Sequence, residues 1–194
     1  MTETPRHEQG AELARWARDR LREELGGPRA TPPTGEWCDA MGATFVTLRW
    51  PDRRLQGCIG SLEPRRPIAL DAARNAIAAA IHDRRSIPIR LSDVDDLDLE
   101  LSILSPQEPL AFSDEASALA AIRPGVDGIV FQWGDHAATF LPSMWGELTD
   151  VREFMSELKQ KAGLPGTFWA DDVRMWRYTV EKYVDAHRTR EAVS

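Results

Sequence analysis

Only two cysteines, Cys38 and Cys58, occur in the 194 residues, too few for a disulfide framework or a cysteine-built metal cage. The four histidines, His7, His82, His136 and His187, show no HExxH or comparable spacing, and no CxxC pair exists. No metal site is therefore indicated. Glycine-rich phosphate loops, dinucleotide fingerprints and GxSxG elbows are missing too, so the motifs imply no cofactor. The longest unbroken apolar run, Ala76 to Ile81, is far too short to span a bilayer. Arg6, Glu8, Glu12, Arg15, Arg18, Asp19 and Arg20 stand where a signal peptide would be apolar. By elimination the expected location is cytoplasmic, with no membrane association.

What is present describes a folded domain. Hydrophobic residues make up 42% and charged residues 28%, the mixture of a protein able to bury a core. The length fits a single domain over 1–194. A net charge of −7 makes nucleic acid an unfavoured partner for the molecule as a whole.

Hydrophobic spacing predicts a helix over 8–25, with Leu13, Trp16, Ala17 and Leu21 on one stripe and Gly26 ending it. Strands are expected over 44–50 and 55–60, joined by the turn residues Pro51 to Arg54. The alanine-rich stretch 68–81, opened by Pro67, reads as a helix whose small side chains let it approach a sheet closely. Alternation predicts a strand over 97–103. A short helix follows over 114–122, then a hairpin over 129–141 turning at Gly134-Asp135. A helix capped by Thr149 or Asp150 runs to Ala162, and one closing strand covers 173–184. Beyond about residue 186 a frayed end is expected. Hairpins mixed with helices, without a regular βαβ rhythm, define an α+β fold with a mainly antiparallel sheet flanked by helices.

The segment Leu55-Gln56-Gly57-Cys58-Ile59-Gly60 resembles the Leu-Arg-Gly-Cys-Ile-Gly signature of the AMMECR-domain family, whose bacterial and archaeal members are called AmmeMemoRadiSam system protein A. Arg66-Pro67-Ile68, Leu99 to Pro106, Arg123 to Gly128, Thr139 to Pro142 and Leu158 to Leu164 are similar to the family in the same order. Two departures stand out: Gln56 replaces the signature arginine, and Asp83-Arg84-Arg85-Ser86 replaces Asp-Pro-Arg-Phe. The resemblance implies an antiparallel α+β fold divided into a larger and a smaller subdomain. It also implies a pathway shared with a Memo-like protein and a radical SAM enzyme, and it carries no catalytic assignment.

Residue chemistry singles out Cys58. Glycines weaken strands, so Gly57 and Gly60 suggest a bulge or a close approach by ligand or neighbouring backbone. In an unbroken strand Gln56, Cys58 and Gly60 would share a face. An open thiol with cations nearby suits a nucleophile or redox group, and Arg66, Arg85 or His136 can supply that charge. A small buried cysteine beside a tight bend accounts for the same residues. Between Arg49 and Arg90 nine arginines face four acids, so the segment is +5 and the remainder of the −7 chain is −12. Such a region can attract a small anionic, nucleotide-like ligand, or its arginines can simply be solvated. Gly57, Gly60, Arg66, Asp83 and Arg85 are the candidate ligand-binding residues. Glu100 is a candidate general base, or an exposed edge carboxylate. Two functions follow: a ligand-binding or partner-docking component, or an enzyme using Cys58.

Overall fold

The structure, a computed structural model, describes residues 7–186. Apart from Ala186, the expected frayed end lies outside the described residues. The chain forms two compact units: one runs to Leu104 and resumes at Glu181, and the other is Ser105–Val180.

In the first unit, helix α1 (His7–Glu24) and the short α2 (Glu36–Asp39) precede strands β1 (Met41–Arg49), β2 (Leu55–Gly60) and β3 (Arg66–Pro67). Helix α3 (Ile68–Ile81), a 3-10 turn (Leu91–Asp96) and strand β4 (Asp98–Leu104) follow, and β9 (Val180–Asp185) completes the sheet. The strand order is β2-β1-β4-β9, with β3 also paired to β1. β1 runs antiparallel to β2, β3 and β4.

One sheet face is apolar by alternation: Val46 and Leu48 lie across from Leu101 and Leu99, as period-two patterning requires. α3 packs there through Ala72, Ala76, Ala79 and Ala80, and α1 through Leu13, Ala17 and Leu21, all buried. Alanine on α3 permits the close approach expected of it. Trp16 Nε1 donates to Ala69 O at 3.1 Å and pins the two helices together. The opposite face carries Phe45, Thr47 and Arg49 of β1 with their register partners Ser102, Glu100 and Asp98 of β4.

The second unit holds β5 (Glu108–Pro109), α4 (Glu115–Ala121), β6 (Gly128–Trp133), β7 (His136–Phe140), α5 (Val151–Lys161) and β8 (Arg174–Tyr178). Its sheet, ordered β5-β8-β6-β7, is antiparallel. Ile129, Phe131 and Met175 meet Phe154, Met155 and Leu158 of α5 in its core. Trp145, itself buried, stacks on Phe154 at 3.8 Å. Asp150 is the residue that caps α5, accepting from the Arg152 and Glu153 N–H groups.

The fold class expected from the sequence is the one observed. The single closing strand, however, is two. β8 pairs with β6 in the second sheet, whereas β9 lies beside β4 in the first. The break falls at Thr179, whose N–H donates to Ser105 Oγ while Ser105 N–H donates to Thr179 O. Continuous alternation cannot reveal it, because both halves have period two.

Asp71, fully buried in the first turn of α3, accepts hydrogen bonds from Thr44 N and Oγ1, Ser61 Oγ, Asn75 Nδ2 and Arg66 Nη1. Asp71→Ala leaves the buried Thr44 N–H without this acceptor and Arg66 without its carboxylate, and a loss of about 3 kcal/mol is expected. A lowered urea midpoint checks it; an unchanged midpoint would show that the carboxylate is dispensable.

Candidate functional site

β2 is the edge strand of the first sheet, and its outer side is covered by the residues that follow α3. A bulge shapes it: Leu48 pairs with Gly57 but Arg49 with Leu55, leaving Gln56 as the extra residue. The bulge breaks the expected alternation. Gln56 is fully buried, donating to Ala80 O and Ile87 O and accepting from Trp50 Nε1. It does not share the exposed side of Cys58 as an unbroken strand would require. The residue standing where the family has arginine is thus a structural tie to the end of α3.

Both glycines of the motif answer to neighbours within the chain. A Cβ on Gly57 would lie 1.9 Å from Ala79 O, so only glycine lets β2 touch the helix backbone there. A Cβ on Gly60 would lie 2.1 Å from the Phe45 ring. The room beside Cys58 at these two points is therefore filled, by a carbonyl and by an aromatic ring.

Cys58 is half-buried and unpaired as a thiol. Its N–H donates to Asp83 Oδ2 at 2.8 Å, and Thr47 Oγ1, across the strand pair, donates to its Sγ at 3.3 Å. Asp83 is buried just beyond α3 and grips Arg85 in a fork. Oδ1 accepts from Arg85 N and Nε, at 2.9 and 3.0 Å, and Oδ2 accepts from Nη2 at 2.7 Å. These charge-assisted bonds, first the guanidinium and then the two backbone N–H groups, hold the Asp83 carboxyl far below the usual carboxylate range. Asp83 in turn raises the Arg85 pKa, with a smaller contribution from nearby Cys58. Two of the five N–H donors of a guanidinium are spent on Asp83. The side chain is still 60% exposed, so its outer edge is presented at a fixed orientation. The departures in this segment fall outside the clasp: Arg84 is exposed, and Ser86 Oγ donates to Asp83 O.

The other candidates lie elsewhere. Arg66 bonds Asp71 at 3.3 Å at the opposite end of α3, so the two arginines form separate clasps. Glu100 shares the face of Cys58, on the far side of Thr47, about 10 Å away at two strand spacings. It pairs with Lys182 at 2.9 Å, which makes it neither the thiol's base nor an edge carboxylate, since β4 is an interior strand. His136 belongs to the second unit, where its Nδ1 bonds Ala162 O at 2.9 Å and its ring stacks on Trp133. Cys38 is buried, which pushes its thiol up, as expected of a packing residue. The sequence reading singles out neither Thr47 nor Asp71, and it gives Gln56 no structural role. A carboxylate inside an alanine-rich helix was the available signal for Asp71.

The arginine-rich segment resolves into pairs. All four of its acids bond an arginine of the same segment: Asp52 with Arg54, Glu63 with Arg65, Asp71 with Arg66, and Asp83 with Arg85. Arg49, Arg53, Arg74, Arg84 and Arg90 are exposed. Among the described residues no group of three His, Cys, Asp or Glu side chains is placed to hold a metal ion. No helix among them is long and apolar enough to cross a membrane.

A two-unit antiparallel α+β protein with a thiol on its edge strand is thus the class that fold and site define. The profile of the AMMECR1 family matches residues 14–183, and the chain belongs to that family. Protein MJ0810 of Methanocaldococcus jannaschii is 31% identical over 96% of this chain and 94% of its own length. A Thermotoga maritima protein is 39% identical over 72% of this chain and 75% of its own. The crystal structure of uncharacterized protein PH0010 from Pyrococcus horikoshii superposes with a TM-score of 0.80 at 31% identity, covering 94% of each chain.

Because the Asp83 pKa is depressed in the fold, its stabilisation is complete above the unfolded value and is lost as pH falls. Wild type should lose stability below about pH 4, the ordinary aspartate value. Asp83→Asn should be less stable at pH 7 and flatter between about pH 2 and 5. Urea midpoints against pH compare the two; parallel curves would count against this assignment.

Proposed function

We propose that the protein is a ligand-binding component whose site is the thiol edge formed by Cys58, Asp83 and Arg85. The ligand class is a small phosphate or carboxylate anion. One observation carries this reading: a buried aspartate fixes one edge of Arg85 and leaves the other exposed beside a half-buried thiol. A guanidinium held this way loses little freedom on meeting an anion, and its planar edge suits two-point recognition. Family membership is compatible with the reading, and the Memo-like and radical SAM proteins implied by the sequence resemblance are the proposed docking partners. Co-purification at micromolar concentration tests that part; no complex would remove it.

Inorganic phosphate and adenosine monophosphate should each raise the melting temperature of the wild type, because a ligand at 100 times its Kd adds about 2.7 kcal/mol. Arg85→Ala should abolish the gain, Arg85→Lys should reduce it, and Arg53→Ala should leave it intact. An equal gain in wild type and Arg85→Ala would defeat the proposal.

A second reading, in which Cys58 is a nucleophile or redox thiol, draws on the Thr47 hydroxyl donated to its sulfur and on the nearby guanidinium. In a Cys38→Ala background at neutral pH, iodoacetamide should label Cys58 faster than it labels free cysteine, and Thr47→Val should slow the reaction. Labelling no faster than that of free cysteine would reject the reading.

A further inference from the structure

The second unit contains a cavity of about 310 Å³ between α4 and α5, closed on one side by the loop at Thr167. That volume lies at the lower end of small-molecule sites. Lys159 lines it, yet its side chain is only 2% exposed. A lysine is rarely so buried, because stripping its ammonium of water costs several kcal/mol unless the charge is compensated. Two groups compensate it: Glu115 of α4, which accepts from Nζ, and the Trp169 ring, whose centroid is 5.5 Å away. Glu115 is itself 40% exposed and also lines the cavity.

Helical spacing brings more to the same wall. Arg152, Met155 and Lys159 recur at i, i+3 and i+7 along α5, so one stripe faces the cavity. Arg152 is exposed at one end and Lys159 is buried at the other. Leu119 of α4, half-buried, supplies apolar surface between them. The ionic groups at the wall are two cations and one anion, which leaves one positive charge unanswered. A monoanion with a short apolar body answers both the charge and the wall.

We propose that this cavity binds a small aliphatic monocarboxylate, its carboxylate pairing with Arg152, the cation left over once Lys159 and Glu115 have paired, and its chain lying on Leu119. The site is separate from the thiol edge and stands or falls without it.

Hexanoate, with hexylamine as the charge-reversed control, tests the assignment by calorimetry and saturation-transfer NMR on the full chain. Hexanoate should bind saturably below about 10 mM, in the range of weak small-ligand affinities, and hexylamine should not. Lys159→Met removes a buried ion-pair partner and can fail to fold, so two variants at exposed positions carry the test. Arg152→Glu should weaken binding at least tenfold, and Thr167→Trp, which places an indole at the cavity wall, should abolish it. Both should melt within a few degrees of wild type, as surface substitutions do. Equal binding of hexanoate and hexylamine, no saturable hexanoate binding, or unchanged affinity in both variants would each overturn the proposal.

Discussion

The edge strand β2 is suspended from the two ends of α3 by aspartate hydrogen bonds. Asp71, in the first turn of the helix, takes the Ser61 hydroxyl just past the end of β2. Asp83, just beyond the last turn, takes the Cys58 N–H. Between these points Gly57 lets the strand backbone lie against the helix carbonyl of Ala79. Buried carboxylates are tolerable only when their oxygens are saturated with donors. Asp71 meets that condition with donors from Thr44, Ser61, Asn75 and Arg66, and Asp83 with the Cys58 N–H and Arg85. The position of the thiol follows from this suspension.

The same constraint settles the electrostatics. An excess of arginine over acid in one segment suggests an open basic surface, but pairing within the segment uses all four acids. The other arginines of the segment, Arg49, Arg53, Arg74, Arg84 and Arg90, are exposed. Arg66 and Arg85 differ because their partners are buried, and Arg85 is the more exposed of the two, so that its guanidinium is anchored and outward-facing at once. A fixed cation beside a sulfur is a better recognition element than a larger number of mobile ones.

Much of the fold was legible because its elements have clean periods. The alanine-rich helix 68–81 and the strand 55–60 carry the boundaries expected of them, and the Gly134-Asp135 hairpin is where turn chemistry placed it. The site was legible only in part. Local signals reached Cys58, Asp83 and Arg85 through the motif and its family-like neighbour. They missed Thr47 because a threonine on a strand looks like any other. Nor do they place Cys58 against Asp83, which lies 25 residues away in sequence, since only the packing of α3 on β2 brings the two together. Lys159 went unnoticed for a related reason: lysine in a helix reads as solvated until a second helix places a carboxylate over it.

Composition, period and motif by themselves determined the α+β class, the order and type of the principal elements and the kinship of the chain, because these depend on local conformational preference and on the alternation of apolar residues. Tertiary structure alone decided that the closing segment serves two sheets, that Gln56 is an internal tie rather than a neighbour of the thiol, and that of many arginines one is anchored beside Cys58. Those outcomes rest on hydrogen bonds between residues far apart in the chain, and the geometry of such bonds exists only once the backbone has folded.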